Sequence, residues 1–413
     1  MISSQSVQAA SALAGAPARS VRAYRLPAID IMRGLVIVVM ALDHVRDYFM
    51  AGSQQDPMSD PNVTPLLFFT RWITHFCAPV FVLLAGTSAG LMAERRSPKA
   101  LGAFLLGRGL WLIAIEWFVI STAWTFAPLG LAQFQGRILV PMQVIWAIGA
   151  SMVVLAGAQF LGRRACLLIG LAIVLGHNLL DGVWPASRTL DLGQPLWVAL
   201  HAPMSLQLGP YQLIFAYPLL PWIGVMLLGF GIAPWFTRPA QERDPLLRRA
   251  GVVLTLAFVA LRALDVYGDP HGWSVHAGDP AATVMAFLNT TKYPPSLLFL
   301  LMTLGPAALL ASYTERLQGV VRDTLVMFGR VPFAFYVSHL YLIHALSLVL
   351  AAIQGFTVSQ FLTFSGWFPK DGYGLPLSGV YAVWLLVVAL LYPFCRWVAE
   401  LKARRNDWWL SYL

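Results

Sequence analysis

Ten apolar stretches dominate this chain, and each has to be removed from water. They cover 29–50, 66–92, 101–122, 138–160, 165–181, 211–236, 250–267, 294–312, 325–352 and 378–399. A bilayer needs about 20 apolar residues per helical span, and all but the short 165–181 run reach or approach that length. A soluble fold would need a polar coat over so much apolar surface. Only 11% of the residues are charged, against roughly 25% in soluble domains. The predicted fold is therefore all-α: a polytopic integral membrane protein of about ten transmembrane helices, with the lipid bilayer as its first partner. The 15 Trp residues suit the interfacial belts that flank such spans.

The net charge of +9 raises the question of nucleic acid, and the placement of the cations answers it. One set of loops holds Arg19, Arg22, Arg25, Arg95, Arg96, Lys99, Arg163, Arg164, Arg238, Arg243, Arg248, Arg249, Arg316, Arg322, Arg396, Lys402, Arg404 and Arg405. The alternate set holds only Arg71, Arg137, Arg188, Lys292 and Lys370. Eighteen against five, alternating along the chain, is the positive-inside pattern and not a basic face on a folded domain. It predicts both termini on the cytoplasmic side and no nucleic-acid partner. Residues 1–27 read as a disordered cytoplasmic tail, since the small polar start lacks the apolar core of a signal peptide. Residues 28–399 form the membrane domain and 400–413 a second cytoplasmic tail. The loops on the far side, 51–65, 182–210, 268–293 and 353–377, are the longer ones, and long irregular loops often cover sites. Cys77, Cys166 and Cys395 form no metal-like pair and read as reduced core residues.

The first span carries the chemistry. An apolar helix needs no ionisable group to cross a membrane, and each one is costly there. This span has Asp30, Arg33, Asp43, His44, Arg46 and Asp47. At about 100° per residue, Arg33, His44, Asp30 and Asp47 share one face, with Arg33 and His44 about 16 Å apart along the axis. That face predicts a polar cavity. His44 is a candidate general base, needing a partner to set its tautomer; Asp43 and Asp47 are the nearby carboxylates. Arg33 suits a phosphate or an acyl carbonyl, with Asp30 orienting it. The same residues also fit a structural ion-pair network between helices.

Further candidates are Arg71 and His75, one turn apart before Ala78-Pro79-Val80-Phe81, and Lys292, the one cation of its loop. His339, beside Tyr336 and Ser338, reads as a core or site-lining residue. Glu116 reads as the partner of a buried cation or as a catalytic carboxylate, and Arg262 with Asp265 as an internal salt bridge. His339 and His344 lie about 140° apart on a helix, so they do not share a metal, and no HExxH, Walker A or GxSxG pattern is present. The expectation is a site without metal.

Several strings together resemble bacterial members of the heparan-alpha-glucosaminide N-acetyltransferase catalytic-domain family. They are Ile29-Asp30-Ile-Met-Arg33-Gly34, Asp43-His44-Val-Arg-Asp47-Tyr-Phe49, Ala85-Gly86-Thr87-Ser88, Gln143-Val-Ile-Trp146, Tyr217-Pro-Leu-Leu-Pro221-Trp222, Lys292-Tyr-Pro-Pro-Ser296 and Gly329-Arg330-Val-Pro332 through His339. Arg33-x10-His44 is also similar to a signature of the wider membrane acyltransferase group. The resemblance implies an acyltransferase domain in a bacterial inner membrane, moving an acetyl group from cytoplasmic acetyl-CoA to a sugar or glycan acceptor on the far side. It favours Arg33 and His44 as the working pair. The lysosomal member's functional His lies in the first non-cytosolic loop; this chain has no His between 51 and 74, so that role does not carry over. The rival class is a proton-coupled secondary transporter, suggested by buried charges and Pro-interrupted spans; against it, no inverted repeat is visible.

Overall fold

Local signals mark where the helices begin. Pro stands in the first turn of α1 (Pro27–Phe49), α2 (Pro65–Thr74) and α4 (Pro98–Ile115), where its missing N–H costs nothing. Thr64 and Ser97 cap α2 and α4 by accepting from Leu67 N and Ala100 N. The computed structural model describes residues 26–52, 56–60, 62–183, 193–369, 371–405, 407 and 409–410. Residues 1–25, including Arg19, Arg22 and Arg25, and also Arg188 and Lys370, lie outside the described residues.

The remaining helices are α3 (Cys77–Met92), a short α5 (Ser121–Thr125), α6 (Val144–Ala158), α7 (Arg163–Gly176), α8 (Gly193–Leu200), α9 (Leu219–Phe236), α10 (Ala240–Leu264), α11 (Pro280–Leu288), α12 (Leu297–Ala311), α13 (Gly319–Arg330), α14 (Pro332–Ile353) and α15 (Leu377–Arg404). Among the described residues, eight helical segments are long and apolar enough to span a membrane: Pro65–Met92, Pro98–Thr125, Val144–Leu161, Arg163–Leu180, Leu219–Phe236, Leu297–Arg316, Pro332–Ile353 and Leu377–Arg404. α1 and α10, of 23 and 25 residues, cover most of the other two apolar runs, but their charged residues set them apart. Leu168 and Leu175 on α7, Val253 and Leu256 on α10 and Leu385 on α15 are exposed; these apolar flanks face lipid. The protein is an all-α, multi-pass membrane protein.

The structure corrects two readings at span ends and places a break within two of the long runs. Residues 138–142 and 211–215 are not helix but strands β1 (Ile138–Met142) and β3 (Tyr211–Phe215), joined with β2 (Ser205–Leu208) in the order β1-β3-β2. β1 runs parallel to β3 from Ile138↔Tyr211 to Met142↔Phe215. Pro141 and Pro218 hold each segment extended ahead of its helix, since Pro has no N–H to continue a helical ladder. The long 325–352 run breaks at Val331, and α14 starts anew with Pro332 at its first turn. The 66–92 run breaks at His75 and Phe76, four residues before Pro79, whose ring cannot bond the His75 carbonyl.

α1 is the central post. α2, α3, α13, α14 and α15 all pack on it, and its Ala, Ile, Met and Val residues are almost all buried. Two glycines set its closest contact. A Cβ at Gly34 would strike the Leu325 carbonyl on α13, and one at Gly329 would strike the Asp30 carbonyl on α1. Small residues at such a seam let backbones approach where no hydrophobic driving force separates helix from lipid.

The 268–293 segment is pinned from inside. Arg262, fully buried, donates to the carbonyls of His271, Asn289, Phe287 and Ala286 at 2.8, 2.8, 3.0 and 3.2 Å. It makes no salt bridge to Asp265, contrary to the sequence reading; Asp265 instead closes α10 in the left-handed region at φ 52°. A buried guanidinium that satisfies four carbonyls serves loop order better than a single ion pair could. Asp269 adds to this by accepting from Thr291 N, Thr291 Oγ1 and Ser296 Oγ, which fixes the turn bearing Lys292.

Candidate active site

One stripe of α1 lines a cavity of about 490 Å³. Its lining residues Asp30, Arg33, Ile37 and Met40 recur at the three- and four-residue spacing of a single helix face. His44 is the next position on that stripe, about 6 Å beyond Met40 along the axis. At the Arg33 end the cavity is basic: Arg33, Arg108, Arg330 and Lys402 all contribute. Arg33 donates to the Leu84 carbonyl at 3.3 Å and to Ser88 Oγ. Asp30 lies 4.0 Å from both the Arg33 and Arg330 guanidinium groups. Arg108 stacks over Trp111 at 4.6 Å and Phe333 at 5.6 Å, and Lys402 donates to the Arg330 carbonyl at 3.4 Å. Lys402 belongs to α15, which continues past residue 399 to Arg404.

Away from the cations the wall turns apolar, with Leu112, Ile145, Ile148 and Met152. It also includes Tyr336, whose hydroxyl is buried and has no hydrogen-bond partner. The Tyr336 ring lies 6.4 Å from the His44 ring. The cavity thus connects a cationic mouth to the neighbourhood of a histidine.

His44 does not stand alone. Its Nδ1 is 2.7 Å from His339 Nε2, and His339 Nδ1 is 3.1 Å from the Phe335 carbonyl. These contacts assign the tautomers. A carbonyl only accepts, so His339 carries its proton on Nδ1, and in the neutral ring its Nε2 is an acceptor. His44 must then donate from Nδ1, which leaves the lone pair on its Nε2. Trp124 meets the His44 ring edge-on at 5.1 Å. Neither Asp43 nor Asp47 bonds to His44, which corrects the expectation that a neighbouring carboxylate sets its tautomer. Both carboxylates are taken by arginines.

Those carboxylates belong to an ion-pair cluster beside the histidines. Asp43 pairs with Arg46 at 3.0 Å and with Arg71 at 2.5 Å, and Arg46 also holds Asp47 at 2.6 Å. Arg71 grips Asp56 with two parallel bonds of 3.0 and 2.8 Å. Burial opposes ionisation of Asp56, but Arg71 outweighs it and holds the carboxyl well below the usual carboxylate range. Arg46 and Arg71 are almost fully buried, so each needs its carboxylates. Lys292 is buried too, with its ammonium 5.1 Å from the Tyr293 ring. Its charge acts on Asp43, His44 and His75. Among the described residues it makes no ion pair. His75, at the break between α2 and α3, packs on Phe299 at 5.3 Å with both ring nitrogens buried and unpartnered.

The structure therefore divides the residues singled out in the sequence between two places. Asp43, His44, Asp47, Arg71, His75, Lys292 and His339 gather at one end of the α1 stripe; Asp30 and Arg33 line the cavity toward the other. Glu116 meets no cation: its Oε2 accepts from Trp146 N at 2.7 Å and so caps α6, because an orphan helix N-terminus is itself a positive site. Arg108, Lys402 and the Tyr336 hydroxyl are the parts that sequence reasoning did not assign. Lys402 sits among ordinary membrane-anchoring charges in the sequence, and Arg108 is the one cation inside the apolar run 101–122; the fold brings both to the cavity.

The family model for heparan-alpha-glucosaminide N-acetyltransferase, catalytic, matches residues 25–268, more than half of the chain. The chain belongs to this family. The family match contains Arg33, His44, Arg71 and His75 and ends before Lys292 and His339, which the fold brings back to the same histidine. Membership in the heparan-alpha-glucosaminide N-acetyltransferase catalytic family points to membrane acetyltransferase activity. No curated protein matches the chain.

Proposed function

We propose that the protein transfers an acetyl group from acetyl-CoA, bound from the cytoplasmic side, to a hydroxyl or amine of a sugar or glycan presented on the opposite side. One observation carries the reading: a cavity with four cations at its Arg33 end runs along α1 to Met40 and Tyr336, and the Tyr336 ring lies 6.4 Å from the ring of His44, the partner of His339. Coenzyme A is a polyphosphate nucleotide on a long, mostly neutral arm. Arg33, Arg108, Arg330 and Lys402 suit its phosphates, since guanidinium and ammonium groups are strong donors to phosphate oxygen. The apolar wall suits the arm, and the thioester then reaches the Tyr336 end.

His44 Nε2, its lone pair set by His339, takes the proton from the acceptor as its oxygen or nitrogen attacks the thioester carbon. The new C–O or C–N bond forms, and the carbonyl electrons move onto oxygen, where the Tyr336 hydroxyl donates to the developing charge. Collapse breaks the C–S bond, and His44 returns the proton to the departing thiolate, giving free CoA and acetylated acceptor. Lys292 and His75 face the acceptor. Asp43, Asp47 and Asp30 act as positioning residues: Asp43 and Asp47 hold Arg46 and Arg71, and Asp30 holds Arg33 and Arg330. The site as proposed uses no metal. The membrane is the bacterial inner membrane, with both chain ends in the cytoplasm.

The test is acetyl-CoA turnover by purified protein in lipid nanodiscs, with His44→Ala and Arg33→Met alongside. The reading expects CoA release that needs both residues and an intact fold. Full turnover in both variants refutes it, and proton-driven solute uptake by proteoliposomes without CoA replaces it with transport.

A further inference from the structure

A second cluster lies apart from the acetyl-transfer cavity, and nothing in the reading above uses it. His177 follows α7 in a short 3-10 turn (His177–Leu180), Asp181 follows that turn, and His201 follows α8. One ligating atom from each of the three lies within 4.8 Å of the others. His177 and His201 are 2% and 4% exposed, so water does not solvate their rings. Even so, His177 Nδ1, His177 Nε2 and His201 Nδ1 have no hydrogen-bond partner. Each unsatisfied buried nitrogen costs about 1–3 kcal/mol, and a packed core has no use for three of them in one place.

We infer that His177, Asp181 and His201 bind one Zn²⁺ ion and that the ion clasps α8 to the end of α7. The chemistry of the donors agrees. Two imidazoles and one carboxylate form a mixed nitrogen–oxygen set, the kind that takes zinc with a fourth position left to water. His201 Nε2 and Asp181 Oδ1 are already 3.0 Å apart; neighbouring ligand atoms in a tetrahedral zinc site, with bonds of about 2.0 Å, lie roughly 3.3 Å apart. His177 has two bare nitrogens to offer, and its ring meets that of His201 at 5.9 Å and 70°. The carboxylate is oriented from behind: Asn178 Nδ2 donates to Asp181 Oδ2 at 2.8 Å. Outer partners of this kind are a regular part of metal sites. Asn178 Oδ1 in turn accepts from Leu297 N at 2.9 Å, at the start of α12. The clasp therefore braces α7, α8 and the turn that carries Lys292. This departs from the sequence expectation of no metal, because the two histidines sit on separate elements and form no recognisable spacing.

The experiment uses the full chain, purified without an affinity tag and stripped with chelator, then titrated with Zn²⁺ and, in a separate sample, with Co²⁺. The wild type is expected to retain one equivalent of zinc and to give the strong visible absorption of tetrahedral Co²⁺. His177→Gln, His201→Gln and Asp181→Asn are expected to bind more than about a hundredfold more weakly, beyond the roughly 10–100-fold that loss of an outer-shell partner costs. Acetyl-CoA binding by each variant checks that the fold is intact, since none of these residues lines the cavity. If a glutamine variant fails that check, Asp181→Asn decides the question. A wild type that takes up no zinc, or an Asp181→Asn variant that binds as the wild type does, overturns the proposal.

Discussion

His339→Ala offers the sharpest view of how the histidine pair works. His339 touches His44 Nδ1 at 2.7 Å but does not line the cavity. Its removal leaves the acyl-CoA contacts in place and frees the His44 ring to choose its tautomer. A buried hydrogen bond of this kind is worth about 1–2 kcal/mol, so the productive tautomer falls by about 5–30-fold. Ring rotation in the space left by the deleted imidazole adds to this, and kcat is expected to drop by about 10–100-fold. That is smaller than the 10²–10⁴-fold range expected for His44→Ala, which removes the base itself. KM for acetyl-CoA should change less than about threefold. His339→Gln keeps an acceptor near His44 Nδ1 and should restore part of kcat. The double variant should be no slower than His44→Ala alone, because His339 acts only through His44. The assay is CoA release, read by thiol detection across acetyl-CoA concentrations. A His339→Ala enzyme with normal kcat, or losses that simply multiply in the double variant, would refute the reasoning.

Three other outcomes follow from the same geometry. Arg71→Met leaves Asp43 with Arg46 alone and takes from Asp56 its two guanidinium bonds, and should lower stability by about 1.5–3 kcal/mol, while Asp43→Asn with Arg71→Met should recover part of it; chemical unfolding in mixed micelles measures both. Glu116→Ala uncaps α6 and should cost about 1–2 kcal/mol, whereas Glu116→Gln, still able to accept from Trp146 N, should cost less in the same assay. Arg33→Met should raise KM for acetyl-CoA by about 10–150-fold, the worth of one hydrogen bond between charged groups. KM for S-acetylpantetheine, which lacks the nucleotide phosphates, should stay unchanged; an equal rise for both substrates would move Arg33 from the phosphates to the thioester.

The membrane architecture was legible because hydropathy is additive along a sequence. Apolar runs show wherever they fold. What hydropathy cannot do is tell a short apolar strand from the end of an apolar helix. Residues 138–142 and 211–215 therefore read as span ends, and only their pairing with each other, far apart in sequence, makes them a sheet. Site residues followed the same division. Arg33 and His44 stood out because ionisable groups on an apolar helix are costly and need a reason. The partner of His44 did not, since Asp43 and Asp47 were the nearest polar groups in sequence while His339 arrives on α14. Lys402 was indistinguishable from an ordinary anchoring charge, and Arg108, the one cation inside the run 101–122, had no neighbour in sequence to mark its role until the helices closed around both. Glu116 looked like half of an ion pair because a sequence does not display the positive end of a neighbouring helix.

The most direct test of the central claim is acetyl-CoA binding and turnover measured together on the purified wild type and His44→Ala. The account predicts equal acetyl-CoA affinity in both proteins, with CoA release reduced by about 10²–10⁴-fold in the variant. A wild type that does not bind acetyl-CoA, or a His44→Ala variant that turns it over at the wild-type rate, would contradict it.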